Sequence, residues 1–378
     1  MASLTSFGQR FPVVVQSKKN IVRAGNARLE AAKRLGWTHI AAIFVDESDL
    51  EATAFAIADN RTAELAGWDN GVLAQLAPTM QRESIFSESW FSGREISEIL
   101  DKTGVAGLPS EGVNEVQDVT ETRCNEGDLW VLGEHRLACG DSTDGLIAAR
   151  LFKDERHALL ITDPPYGCDW RGKRDHLEDW DGKGGREHEI NADDSGADAE
   201  PVIRGATMVA LEYADDKAGF YVFSASSWEL SSMTCNTLTD VGWLVKYPII
   251  WNKTSIVIGR RDYHSQFEPV WYGWRKDGSH VWYGDRKQSD VIDIPKPSAN
   301  KEHPTMKPVE LIERLIKNST MRGQIVYDPF MGSGTTIMAA ERSERRAYGI
   351  ELSPGYCDVV LKRWENATGK EAVLEDPS

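Results

Sequence analysis

Five times between residues 135 and 351 an apolar run ends in an acid or a glycine and gives way to a helical pattern. The runs are HRLACGD (135–141), HALLITDPPYG (157–167), AGFYVFSA (218–225), GQIVYDPFMGSGTT (323–336) and RAYGIE (346–351). Short, nearly continuous apolar runs suit strands covered on both faces, and the helices between them supply the cover, so the alternation predicts a doubly wound α/β sheet. Two more runs, LVKYPIIWNK (244–253) and FEPVWYGW (267–274), have no helical pattern between them and predict an antiparallel pair at one edge. Ligands of such sheets sit beyond the carboxyl ends of the strands. The polar residues of interest all fall there.

The N-terminal third reads differently. FPVVV (11–15) and residues 21–22 have the look of short strands. GNARLEAAKRLG (25–36) places Leu29, Ala32, Lys33 and Leu35 at helical spacing and closes on Gly36, and HIAAIFV (39–45) returns as a strand. Helical patterns follow at 50–65, 70–76 and 93–100. After Gly104 the composition turns to Pro, Gly and acids without a sustained period, which predicts a linker over 105–123 between a small domain (1–104) and a large one (124–369), with an acidic tail at 370–378.

Composition narrows the function classes. At 378 residues and 41% apolar content the chain has enough core for one large α/β domain and a smaller one. No stretch approaches the ~18 apolar residues of a membrane span, and MASLTSFGQRF lacks the layout of a secretory signal, so a cytoplasmic protein without a membrane partner is expected. The five cysteines are scattered with no CxxC pair, so neither a metal site nor a disulfide framework is expected. A net charge of −16 runs against a nucleic-acid partner. Its distribution allows one, because acids concentrate in 175–200 and in the tail, whereas 253–307 carries Arg260, Arg261, Arg275, Lys276, Arg286 and Lys287 among fewer acids.

Asp163-Pro164-Pro165-Tyr166 leaves one strand and enters a Gly-containing loop. Two prolines fix φ and remove two N–H donors, so the backbone is stiff and presents carbonyl acceptors beside a carboxylate and an aromatic ring. An exocyclic amine of adenine or cytosine is a poor nucleophile because its lone pair is delocalised into the ring. Accepting its two N–H bonds, one on Asp163 and one on the Pro164 carbonyl, favours a pyramidal nitrogen with the lone pair aimed at a methyl donor. Taken alone the tetrapeptide is also readable as a turn with a surface tyrosine.

The run Asp328-Pro329-Phe330-Met331-Gly332-Ser333-Gly334-Thr335-Thr336 joins a strand to a helix. Its small residues let backbone approach a ligand, and the helix start suits a carboxylate. It lacks the lysine of a phosphate-binding loop. Glu351, about 20 residues beyond the Gly-rich loop at the next strand end, stands where an acid holds ribose hydroxyls, or else caps the turn ELSPGY. Asp141 is a third strand-end acid. HPTMKP (303–308) opens another helix, as a set of donors or as an ordinary N-cap.

Together these residues resemble the amino-methyltransferases of DNA, specifically their circularly permuted β class, in which the DPPY-type motif precedes the cofactor motif. The order here is Asp163–Tyr166, HPTMKP, DPFMGSGTT, then Glu351. The resemblance covers about 124–369 and implies a Rossmann-like, seven-stranded S-adenosylmethionine-dependent methyltransferase sheet. It implies that Asp163, Pro164, Pro165 and Tyr166 act on the target base. It also implies that Asp328, Pro329, Phe330, Gly332, Ser333, Gly334, Thr335 and Glu351 hold S-adenosylmethionine, with Thr305 and Lys307 in a further cofactor motif and Asp141 at the cofactor adenine. The implied activity is site-specific methylation of duplex DNA by base flipping, with adenine N6 favoured over cytosine N4, typically within restriction-modification and in dimeric enzymes. Target recognition then falls in 252–300, where Arg260, Arg261, Arg275, Lys276, Arg286 and Lys287 are the expected DNA contacts and the FEPVWYGW aromatics are assigned to packing. C5-cytosine chemistry is disfavoured because no Pro-Cys nucleophile motif is present.

The N-terminal part resembles the ParB-like fold of partition proteins and of some phage and prophage methyltransferases, on FPVVVQSKKNIVRAGNARLEAAKRLG and DNRTAELAGWD. The usual segment upstream of FPVVV is missing and Asn26 replaces the histidine of the family's GHxR box. Arg28 is a candidate phosphate contact, but a structural or DNA-positioning role is the favoured expectation. The rival expectation for the whole chain is a DNA-binding adaptor with an inert methyltransferase fold.

Overall fold

Glycine placement sets the first unit's architecture. The computed structural model describes residues 2–46, 122–165, 196–257, 262–296 and 306–375, and the chain divides into two units, Met1–Val105 and Ala106–Ser378. In the first, β1 (Val13–Gln16) pairs antiparallel with β2 (Ile21–Ala24) and parallel with β3 (Ala42–Val45), in the order β2-β1-β3. Gly25, at φ 88°, turns the chain from β2 into α2 (Asn26–Arg34) in a left-handed conformation that an L side chain resists. That helix and α1 (Ala2–Phe7) bury Leu4, Ala31 and Ala32. Arg28 turns back on its own unit, donating to the carbonyls of Phe11 at 3.0 Å and Pro12 at 2.8 Å. The helical patterns at 50–65, 70–76 and 93–100 and most of the linker fall outside the described residues.

In the second unit the strands are β4 (Leu129–Leu132), β5 (His135–Cys139), β6 (His157–Thr162), β7 (Ala214–Phe223), β8 (Trp243–Val257), β9 (Ser265–Arg275), β10 (Val291–Asp293), β11 (Ile325–Asp328), β12 (Arg346–Glu351) and β13 (Val373–Leu374). They form one sheet in the order β10-β8-β9-β7-β6-β11-β12-β5-β4-β13. The five predicted apolar runs are the parallel centre, β7-β6-β11-β12-β5, and the two runs without an intervening helix are the antiparallel pair β8 and β9. Helices α3 (Gly145–Phe152), α4 (Gly196–Glu212) and α5 (Trp228–Val241) contribute Leu151, Phe152, Ala210 and Leu238 to the core on one face. The other face carries α6 (Val309–Ser319), α7 (Thr335–Arg342) and α8 (Pro354–Thr368), through Leu315, Ile337, Met338, Leu361 and Trp364. Burial of each such apolar side chain contributes about 1.5–3 kcal/mol.

The seven expected strands are present, and three short ones extend the sheet to ten among the described residues. β4 arises because Gly133, at φ 61°, lets LWVL fold back on HRLAC as a tight hairpin. β13 pairs with β4, and Glu375 just beyond it pairs with Arg136 and, at 2.9 Å, with Lys153. Charge complementarity therefore docks the start of the acidic tail on the sheet edge. β10 is three residues added to the opposite edge beside β8.

Candidate active site

β6 ends where Pro164, lacking an N–H, stops the ladder. β11 ends one strand away, with Val326 level with Leu159 and Tyr327 with Leu160. Parallel pairing of these two strands brings Asp163 and Asp328, 165 positions apart, to neighbouring tips. A cavity of about 170 Å³ opens between them, lined by Asp163, Lys307, Asp328, Phe330, Gly332 and Thr335 among others.

Asp328 works as a tie. Its Oδ1 accepts from the Thr162 hydroxyl at 2.8 Å and the Phe330 N–H at 3.1 Å, and its Oδ2 from the Thr336 hydroxyl at 2.6 Å. One carboxylate thus fastens the tip of β6, the Gly-rich loop and the start of α7, and burial pushes its pKa above the ordinary range despite those donors. Glu351 closes the loop from the next tip, accepting from Gly332 N–H at 2.8 Å and Ser353 N–H at 2.9 Å. Burial pushes its carboxyl up to about 7 against those bonds. From α8, buried Arg363 donates to the Ser333 carbonyl at 2.8 Å.

Gly334 caps α7 at φ 81°, and a Cβ there would meet Val360 Cγ1 at 2.9 Å. Gly334→Ala adds left-handed strain to that crowding, and we expect it to cost about 1–3 kcal/mol. Urea unfolding checks this: the midpoint drops at an unchanged slope, and a loss below about 0.5 kcal/mol contradicts the strain argument.

Around Asp163 the charges alternate. The Lys307 ammonium, immediately before α6, pairs with Asp163 and stands 3.3 Å from Glu268 Oε2. Glu268 Oε1 in turn takes Lys253 at 2.6 Å. The Lys307 ammonium lies 5.1 Å from the Phe223 ring centre, and that of Lys253 5.6 Å from Trp251. Burial pushes the Asp163 carboxyl up to about 6, with Lys307 pulling the other way and Glu268 adding to the push. For Glu268 burial also works upward, but the two ammonium groups outweigh it and hold the carboxyl below its ordinary range. Lys307 is raised, since its two carboxylate neighbours outweigh the burial that works against its charge.

The expected site residues therefore divide. Asp163, Lys307, Asp328, Phe330, Gly332, Ser333 and Thr335 share the cavity. Pro164 and Pro329 are buried in the turns beside it, and Gly334 and Glu351 shape its loop. Asp141 stands at the adjacent tip, where Gly140 N–H meets the Glu351 carbonyl at 2.9 Å, and its carboxylate accepts from Thr143. Tyr166, Thr305, Arg260 and Arg261 lie outside the described residues. Four basic side chains are not gathered at the cavity. Arg275 and Lys276 sit at the opposite end of the sheet, with Arg275 held by Asp277 at 2.7 Å and the Ala214 carbonyl at 3.1 Å. Arg286 and Lys287 are exposed on a loop docked on Asn318, at the far end of α6 and about 13 Å along it from its first residue.

Glu268, Lys253 and Phe223 are site residues that the motifs did not reveal. A signal was present in the strand period. Glu268 shares its face with Val270 and Tyr272, and Lys253 with Ile249 and Trp251, all four of them core residues. A charge on the buried register of a strand requires a partner.

Sheet and site define a doubly wound α/β protein whose stiff Pro-Pro turn shares a cavity with a Gly-rich loop. A family model of N6/N4 methyltransferases, described as DNA methylase, matches residues 158–362, and the chain belongs to that family. The type II methyltransferase M.BglI of Bacillus subtilis is 32% identical over 161 residues, 41% of this chain and 42% of that protein. M2.DpnII of Streptococcus pneumoniae is 28% identical over 160 residues, 40% of this chain and 53% of that one. The chain spans about half the length of these curated relatives. The crystal structure of the M1.HpyAVI–SAM complex matches 60% of this chain and 97% of its own at 24% identity and a TM-score of 0.45. Among the described residues no helix is long and apolar enough to cross a membrane, and no group of three or more His, Cys, Asp or Glu is arranged to hold a metal ion. The inert-fold expectation finds no support, since the family is one of DNA methylases and the curated relatives are methyltransferases.

Proposed function

We propose that the chain methylates an exocyclic amine of a base in duplex DNA, adenine N6 in preference to cytosine N4, with S-adenosylmethionine as donor. The observation that carries the proposal is the meeting of Asp163 and the Gly-rich loop in one cavity at adjacent strand tips. Family membership supports the same reading.

The donor set fits the cofactor. The Glu351 carboxylate suits a ribose diol, the backbone of Gly332 to Gly334 leaves room for close approach, and the start of α7 suits a carboxylate. S-adenosylmethionine supplies an electrophilic methyl group on a sulfonium. On the protein side, Asp163 and the Pro164 carbonyl each accept one N–H of the amine and turn its lone pair toward the loop. The carboxylate of Asp163 then takes the proton that the amine gives up after methylation. Reaching this pocket requires the base to leave the duplex at a cost of a few kcal/mol, and stacking on Tyr166 offsets about 1–3 kcal/mol of it.

The direct test is expression in a methylation-free host followed by genome-wide mapping of modified bases. We expect N6-methyladenine confined to one short sequence context. N4-methylcytosine would move the assignment to cytosine, and unmodified DNA would overturn the proposal.

A further inference from the structure

The Lys307 ammonium holds Asp163 through Oδ2, and a carboxylate whose charge is shared with an ammonium is a weaker acceptor and a weaker base for a substrate amine. Lys307 is 8% exposed, so when its hold on Asp163 loosens its charge is met best by another anion within reach. Glu268 is that anion. On the reading of the site given above, we propose that Glu268 is a positioning residue that takes up the Lys307 ammonium when the substrate amine claims Asp163, and that its charge thereby sets how strongly Asp163 holds a proton.

Four features of the site argue for the transfer. The Lys307–Glu268 contact is 3.3 Å, longer than a close charged hydrogen bond, and a small rotation of the flexible lysine stem shortens it. Glu268 is itself held still, because its other oxygen is bonded to Lys253 at 2.6 Å and Lys253 is almost fully buried. The Phe223 ring, 5.1 Å from the ammonium, offers an attraction without a fixed hydrogen-bond direction, so it does not tie Lys307 to either carboxylate. The cluster of Asp163, Lys307, Glu268 and Lys253 holds two charges of each sign, so moving Lys307 from one acid to the other leaves the net charge of the pocket unchanged.

The remaining charged groups facing this cluster, among the described residues, are Asp328 and Lys296. Asp328 adds a negative charge one tip away and is bound to Thr162, Thr336 and the Phe330 N–H. Lys296, half-buried after β10, bonds through its N–H to the Lys253 carbonyl at 3.4 Å, and its ammonium is held down first by burial and then by the neighbouring Lys253. With Lys307 on Asp163 the acid is a weak base; with Lys307 on Glu268 its proton affinity rises as the amine arrives.

The experiment compares wild type, Glu268→Gln, Glu268→Asp and Lys253→Met. It reads the pH dependence of single-turnover methyl transfer, the affinity for S-adenosylmethionine, and the titration of the Asp163 carboxyl followed by carbon-13 NMR in the free protein. Removing the charge in Glu268→Gln leaves Lys307 to Asp163 alone. The acid limb of the rate profile and the Asp163 titration then both move down by about one pH unit. The plateau rate falls roughly tenfold or more, and cofactor affinity stays within about twofold, because Glu268 does not line the loop. Glu268→Asp restores most of the rate. Lys253→Met draws Lys307 toward Glu268 and moves both profiles up, the opposite sign. A Glu268→Gln protein with an unmoved acid limb and plateau, or one that loses cofactor affinity as much as rate, overturns the inference. Should Glu268→Gln fail to fold, the upward shift in Lys253→Met decides it. A wild-type protein that methylates no DNA removes the functional reading instead, and the carboxyl titrations then decide the part assigned to Glu268.

Discussion

Replacing Asp163 with alanine is expected to slow methyl transfer about 10³-fold while leaving affinity for S-adenosylmethionine within a few-fold of wild type. The split follows from placement. Asp163 stands at the tip of β6 and lines the cavity, whereas the loop expected to hold the cofactor is tied by Asp328, Glu351 and Arg363. Losing the carboxylate removes one of two acceptors for the amine and leaves the ammonium of Lys307 paired with Glu268. The Pro164 carbonyl remains, which accounts for residual transfer. Single-turnover rates with saturating cofactor, set beside calorimetric titration, make the measurement. A rate within tenfold of wild type would discard the role of Asp163, and loss of cofactor binding equal to the loss of rate would relocate it.

Glu351→Gln is expected to do the reverse, weakening cofactor binding about 10²-fold with a smaller effect on transfer at saturation, as loss of charge-assisted hydrogen bonds typically costs about 1.5–3 kcal/mol. The amide oxygen can still accept from one of the two N–H groups, Gly332 or Ser353, so the loop keeps part of its closure. The same acid makes binding depend on pH. Burial lifts its pKa to about 7, so the carboxylate proposed to accept ribose hydroxyls is present above that pH and is lost as pH falls through it. Cofactor affinity should therefore fall up to tenfold per unit below about pH 7 in wild type, and the slope should flatten in the glutamine variant. An identical slope in both proteins would assign the titration to another group.

Much of this site is legible in the sequence. Asp163, Asp328 and Glu351 each end an apolar run in the sequence, and all three stand at strand tips. Local chemistry sufficed there, because a proline that stops a ladder or a glycine that turns into a helix acts within a few residues. The three added strands were not legible, being two to four residues long and stabilised by neighbours rather than by their own pattern. The basic residues of 252–300 are neighbours in sequence, but β9 runs the length of the sheet and carries Arg275 to the end away from the cavity.

By itself, then, the order of residues determined where strands end, which acids and glycines stand at those ends, and that helices must cover both faces, since periodicity and turn chemistry are local properties. Only the tertiary structure decided that β6 and β11 are neighbours and that Lys253, Glu268 and Lys307, from two strands and a helix start, meet Asp163 in one chain of alternating charge. Pairing between distant parallel strands is chosen by the packing of the whole sheet, and a buried charge finds its partner only when that packing closes around it.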